Sequence, residues 1–369
     1  MTTSPTAELQ KLGVSIWLDD LSKDRLTTGS LQGLMDTHHV VGVTSNPTIF
    51  AGSVAGSDSY ASDIAELTKA GSSLEDAVFT IMVSDVQGAC DVLGPEFIRS
   101  KGVDGRVSLE VSPELAHDTQ GTIDQALKLW KQVGRENLMI KIPATLAGLP
   151  AITAVVAEGI SVNVTLIFSL ERYAQVIDAY CAGIVLAQDR GFQISTIHSV
   201  ASFFVSRVDS AIDPLLDGVG TPEAQSLKSL AAIANARLAY ELFTTSHARP
   251  EIESMVRLGM NPQRPLWAST GVKDPALPQD YYVTELAVAQ TVNTMPEKTL
   301  LATEKSAVVQ QDKVTGSYDE ARSVVERIQA LGISLTDITD ALEKEGVEKF
   351  IVSWKELLAT VSTAMEQAA

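Results

Sequence analysis

A (β/α)8 TIM barrel with additional helices, including a helical C-terminal tail, is the fold class that this chain predicts, on three observations. Short, apolar, branched-rich segments alternate with longer amphipathic ones along the whole chain, the pattern of parallel strands joined by helical crossovers. About eight such units can be distinguished, and 369 residues exceed the ~250 that the basic barrel needs. No glycine-rich phosphate fingerprint follows an early strand, so a doubly wound open sheet is the second choice.

In order, the expected strands are 14–19, 40–45, 106–111, 138–142, 160–165, 196–202, 265–269 and 291–295. Between them, 122–133 (Ile123, Ala126, Leu127, Trp130) and 170–187 (Tyr173, Val176, Ile177, Tyr180) show the apolar spacing of helices laid on a sheet. The surplus length falls near 51–71, in 216–261 and in a helical tail from about 317. The chain therefore reads as one barrel domain with insertions, 1–369.

Composition narrows the partners. The formal charge is −18, from 28 basic and 46 acidic residues, which argues against nucleic acid and anionic membranes. A small anion is still admissible, because a pocket with two local cations can oppose the global field. No unbroken apolar run approaches the ~18 residues of a membrane helix, and the first residues lack the regions of a signal peptide. Cys90 and Cys181 offer no disulfide framework and suit a reducing cytosol. His38 and His39 are adjacent and cannot share a helix face, while His117, His198 and His247 lack metal-ligand spacing.

Lys141 stands inside the apolar run Asn137-Leu138-Met139-Ile140-Lys141-Ile142-Pro143. It either snorkels to water or is desolvated, as an amine prepared to attack a carbonyl is. The rest of the chain bears on that choice. Side chains alternate faces along a strand, so Ser15, Trp17 and Asp19 share a face, as do Gly42, Thr44 and Asn46. The same rule groups Ser108 with Glu110, and Ser161 with Asn163 and Thr165; the sixth strand ends at Ser202, with Arg207 just beyond in a helix. Chemistry in such barrels gathers at the C-terminal strand ends. The set suits a polyhydroxylated carbonyl compound held as a Schiff base.

Four segments together resemble the transaldolase family, in its longer bacterial branch. They are Thr44-Ser45-Asn46-Pro47, Ile140-Lys141-Ile142-Pro143-Ala144-Thr145, Asn163-Val164-Thr165-Leu166-Ile167-Phe168 and Ser202-Phe203-Phe204-Val205-Ser206-Arg207. The resemblance implies a cofactor-free, metal-free class I enzyme of the non-oxidative pentose phosphate pathway. Such an enzyme moves a dihydroxyacetone unit from sedoheptulose 7-phosphate to glyceraldehyde 3-phosphate, giving erythrose 4-phosphate and fructose 6-phosphate. It also implies the roles. Lys141 corresponds to the Schiff-base lysine and Asp19 to the base for carbon–carbon cleavage. Glu110 corresponds to the acid/base that works through a water held with Thr165, and Thr44 lines that water site. Asn46, Asn163 and Ser202 correspond to ligands of the dihydroxyacetone hydroxyls, and Arg207 to a phosphate ligand. Asp20 is turned away by alternation and is expected as a helix N-cap or surface residue.

The chain departs from the family pattern after the seventh strand. Trp267-Ala268-Ser269-Thr270-Gly271-Val272-Lys273 stands where many members carry a phosphate-binding arginine; Lys273 either supplies that charge or lies at the surface. The competing reading is a lyase of the same superfamily that releases free dihydroxyacetone. Those relatives tend to carry glutamine for Glu110 and tyrosine where Phe204 lines the substrate site, so both residues here favour the transferase. A non-catalytic sugar-phosphate binder would not need Lys141, Asp19 and Glu110 together. Sugar phosphates are the expected partners of a cytoplasmic monomer or homodimer.

Overall fold

The structure is a computed structural model that describes residues 4–309 and 311–369. Eight strands are present: β1 (Val14–Leu18), β2 (Val40–Val43), β3 (Arg106–Glu110), β4 (Leu138–Pro143), β5 (Val162–Ile167), β6 (Ser199–Phe204), β7 (Arg264–Ala268) and β8 (Thr291–Met295). All pair in parallel and in chain order, and β1 pairs with β8, so the sheet closes into a barrel. Helices fill every crossover, which makes this a (β/α)8 barrel. Buried apolar side chains from Leu9 to Val361 form one cluster.

Register decides which residues share the interior. Glu110 pairs with Lys141, and Lys141 with Asn163, so these three stand abreast. Trp17 pairs with Gly42 and Thr294. A Cβ at Gly42 would come within 2.5 Å of the Trp17 indole, so only glycine lets this ring pack into the barrel.

Two strands begin later than the sequence suggests. In β5, the Ser161 hydroxyl accepts from His198 N and Arg106, at 3.0 and 3.3 Å, beneath the regular ladder. Before β6, Ile194–Thr196 is drawn into a 3-10 turn, with the Thr196 hydroxyl bonded to Gln193 O. The inward face of helix Thr119–Val133 also differs from expectation. Thr122, Ala126, Leu129 and Val133 are buried, and Leu127 is exposed. Their 4-3-4 spacing makes a stripe beside the one containing Leu127.

The insertion after β2 folds as Pro47–Ala55 and Ala61–Lys69, followed by Leu74–Arg99. Leu74–Arg99 is the one helix among the described residues long and apolar enough to cross a membrane, and its apolar stretch is mostly buried inside the protein. Ser206–Val219, Pro222–Ser226, Ala231–His247 and Pro250–Arg257 fill the β6–β7 connection. After β8 come Glu297–Ser306, Tyr318–Ala330 and the 34-residue helix Leu335–Ala368. This C-terminal helix reaches the barrel mouth. A Cβ on its Gly346 would meet Leu166 Cδ2 at 3.0 Å. Leu166 itself adopts a left-handed backbone, φ 60°, where the β5–β6 register shifts, a conformation that costs an aliphatic residue about 1–3 kcal/mol unless its surroundings hold it.

Candidate active site

A cavity of about 330 Å³ opens at the C-terminal strand ends. Asp19, Thr44, Asn46, Lys141, Thr165, Ser202, Phe204, Arg207 and Lys273 line it. Lys273 lines the cavity and is also exposed to solvent, with no carboxylate in ion-pair range among the described residues. Glu110 and Asn163 do not reach the cavity wall but are buried on either side of Lys141.

Lys141 is 4% exposed, so it does not snorkel to water. Its Nζ donates to Ser45 O at 3.1 Å and lies 3.3 Å from Glu110 Oε2. Burial pushes the Glu110 carboxyl up to about 7, against the pull of the Lys141 charge. Glu110 Oε1 and Thr165 Oγ1 lack a hydrogen-bond partner among the described residues, and Glu110 Oε2 has only the Lys141 ammonium beside it. Buried polar atoms without partners are uncommon, and these keep hydrogen-bonding capacity for a small polar molecule.

Asp19 continues from β1, and Thr44 follows β2. The Thr44 hydroxyl donates to Asp19 Oδ1 at 2.7 Å and lies 2.7 Å from Thr294 Oγ1. Its single proton is committed to Asp19, so Thr294 must be the donor to Thr44. Burial raises the Asp19 carboxyl above its ordinary range, while Lys141 and the Thr44 hydrogen bond pull it down.

On the opposite wall, Ser202 Oγ donates to Asn163 Oδ1 at 2.7 Å, and Asn163 Nδ2 donates to Ser108 Oγ at 2.9 Å. Asn163 therefore holds Ser202 in place from behind. Asn46 caps helix Pro47–Ala55, its Oδ1 accepting from Ile49 N at 3.0 Å, which leaves its amide donors for the cavity. Arg207 stands in the first turn of helix Ser206–Val219, its guanidinium 5.2 Å from the Phe204 ring centre. Arg207 Nη1 is buried without a partner, and burial pushes the guanidinium down. A half-buried cation with an unanswered donor beside a helix N-terminus is an anion-binding arrangement.

Asp20 departs from expectation. The N-cap of the next helix is Ser22, and Asp20 accepts from Arg25 Nε at 2.9 Å, with Glu297 also on Arg25. The arginine available five residues on outcompetes solvent and cap for this carboxylate. Thr294 and Phe350 line the cavity without having been anticipated. Alternation along β8 would have turned Thr294 inward with Val292; no local pattern marks Phe350, whose ring centre lies 5.7 Å from Lys141 Nζ.

Two further cavities, of about 450 and 360 Å³, sit at the other end of the barrel and share His198. The two arginines there are answered within the protein. Arg264 pairs with Asp104 at 3.1 Å, and Arg106 donates to Gly102 O, Glu136 O and Ser161 Oγ.

A parallel barrel that buries a lysine against a carboxylate at its C-terminal mouth has the architecture of lysine-dependent aldolases and their relatives. The transaldolase/fructose-6-phosphate aldolase family model matches residues 16–361, and the chain belongs to that family. The transaldolase of Kocuria rhizophila is 56% identical over 366 residues, covering 99% of this chain and all of the relative. That of an Arthrobacter species is 54% identical with 99% of each chain covered, and that of Mycobacterium bovis 53% identical with 98% of each covered.

Proposed function

We propose that this chain is a transaldolase, a transferase that carries a dihydroxyacetone unit from sedoheptulose 7-phosphate to glyceraldehyde 3-phosphate through an imine on Lys141. The placement of Lys141 Nζ 3.3 Å from Glu110, inside the cavity that Asp19 also lines, is the observation that carries this reading. Proton exchange between an amine and a carboxyl is easiest when the carboxyl titrates near working pH, and burial moves Glu110 there, to about 7. The Lys141 amine adds to the ketose carbonyl. Glu110, through a water held with Thr165, supplies the proton with which the carbinolamine loses water. The resulting iminium accepts the electron pair released when Asp19 takes the donor's hydroxyl proton and the carbon–carbon bond breaks. The aldehyde product leaves, the acceptor aldehyde enters, and the steps run in reverse.

Thr44 keeps one oxygen of Asp19 occupied, so the other faces the substrate. Ser202 and the Asn46 amide suit the dihydroxyacetone hydroxyls, with Asn163 holding Ser202. Arg207 and Lys273 give the cavity a positive end for the phosphate, in line with the phosphate sites that late βα loops build in barrels of this type. The same reading makes the chain a cytoplasmic enzyme acting on small sugar phosphates, as a monomer or homodimer.

Borohydride reduction in the presence of fructose 6-phosphate, followed by peptide mapping, is the direct test. A dihydroxyacetone-sized adduct on Lys141 is expected, and turnover should require an aldehyde acceptor. Steady release of free dihydroxyacetone at the same rate without acceptor would make the protein a lyase instead.

A further inference from the structure

Among the described residues that line the catalytic cavity, Phe350 alone comes from the C-terminal helix. Its ring centre lies 5.7 Å from Lys141 Nζ, within cation–π range, and the residue is 4% exposed. The helix is tied down on both sides of it. Arg172 pairs with Glu343 at 3.0 Å, Thr48 Oγ1 donates to Ser353 Oγ at 2.8 Å, and the Trp354 ring packs on Phe79 with centres 5.1 Å apart. Phe350 is thus held over the amine as a rigid apolar roof, in a cavity that Asp19, Thr44, Asn46, Thr165 and Ser202 also line.

We infer that Phe350 determines whether the bound dihydroxyacetone unit is transferred or lost; this rests on the transaldolase reading above. After donor cleavage the unit remains on Lys141 as an enamine. Attack of its nucleophilic carbon on an acceptor aldehyde forms the new carbon–carbon bond. If that carbon instead takes a proton from water, the iminium returns without an acceptor. Water then adds to the iminium carbon, the carbon–nitrogen bond breaks, and free dihydroxyacetone and the lysine amine result. Excluding bulk water from the roof side suppresses the first of these two losses. The water required to hydrolyse the finished product reaches the imine from the Glu110–Thr165 side, so the shield does not block turnover. Phe350 acts here as a specificity-determining residue that carries no proton itself.

The test compares wild type with Phe350→Ala, Phe350→Leu and Phe350→Tyr. Each is supplied with fructose 6-phosphate, with and without erythrose 4-phosphate, while free dihydroxyacetone and sedoheptulose 7-phosphate are both measured. In Phe350→Ala the ratio of release to transfer should rise about tenfold. Phe350→Leu, which keeps most of the apolar cover, should restore the wild-type ratio in large part. Borohydride trapping on Lys141 reports the folded, imine-competent fraction of every variant, so misfolding lowers both products together and leaves the ratio untouched. A ratio in Phe350→Ala equal to that of wild type, with the adduct still trapped, overturns the shield. Failure to trap any adduct on wild-type Lys141 overturns the Schiff-base reading itself.

Discussion

The two ends of the barrel are both crowded with charge, yet they treat it differently. At the floor, Arg264 meets Asp104 and Ser15, and Arg106 spends its donors on two carbonyls and a hydroxyl. At the mouth, Glu110 Oε1, Thr165 Oγ1 and Arg207 Nη1 are buried without hydrogen-bond partners among the described residues, and Glu110 Oε2 has only the Lys141 ammonium beside it. Isolated orphans occur elsewhere, at Tyr173, Arg237, His247 and Gln263, whereas those at the mouth lie on or next to residues that line one cavity. A satisfied network stabilises the fold; an unsatisfied one is kept for a ligand. The two floor cavities, of about 450 and 360 Å³, are larger than the one of about 330 Å³ at the mouth, so in this molecule unanswered hydrogen-bonding capacity picks out the candidate site where cavity size does not.

Lys141→Ala is the largest break available at the mouth. Turnover and borohydride trapping should both vanish, since Lys141 is the amine that the proposed mechanism uses, while the melting temperature changes little because a buried amine is removed. Normal trapping by this variant would remove the mouth's claim to the chemistry. Asp19→Ala should instead retain trapping but accumulate the intact ketose adduct, visible by mass.

The contrast sharpens when one arginine is removed from each end. Arg207→Ala should raise KM for phosphorylated substrates about 10–100-fold, the worth of one charge-assisted contact of ~1.5–3 kcal/mol, while sparing unphosphorylated dihydroxyacetone. Arg264→Ala should do the reverse, costing roughly 1.5–3 kcal/mol of stability in urea by removing the charged partner of Asp104, which keeps its Ser15 and Trp17 hydrogen bonds, with kinetic constants per folded molecule unchanged. Interchanged effects would mean that the ends had been read the wrong way round.

The smallest effect is a slope. Burial raises the Glu110 carboxyl from 4.5 to about 7, so the folded protein keeps a proton there that the unfolded chain gives up. Unfolding then releases a proton between those two values, and this group makes stability fall as pH rises through that window. Glu110→Gln should flatten that part of the curve in denaturation measured from pH 4.5 to 7. An unchanged slope would mean that Glu110 titrates as it does in the unfolded chain.

Alternation along strands made most of the mouth readable in advance, because the period of two is geometric and tolerates errors in strand ends. The β5 and β6 boundaries were displaced by two or three residues, yet Asn163, Thr165 and Ser202 still shared the inner wall. What the pattern could not supply was anything carried by tertiary contact. Phe350 arrives from a helix that begins beyond the last strand, and nothing in its own neighbourhood distinguishes it from other buried aromatics. The division of labour within Asn46, oxygen to the helix and amide to the cavity, belongs to the Asn-Pro start of that helix. It needs coordinates to be seen.

The Thr294–Thr44–Asp19 chain of hydrogen bonds has a consequence for folding. It crosses the seam where the first strand meets the last, next to the bond from Asp19 N to Met295 O at 2.9 Å. Pairings so distant in sequence are expensive in chain entropy and form late. The orientation of Asp19 is therefore completed only when the barrel is, so, with Asp19 as the cleaving base proposed above, a partly assembled chain holds the lysine and still does not cleave. On that proposal, catalytic competence is a report on ring closure.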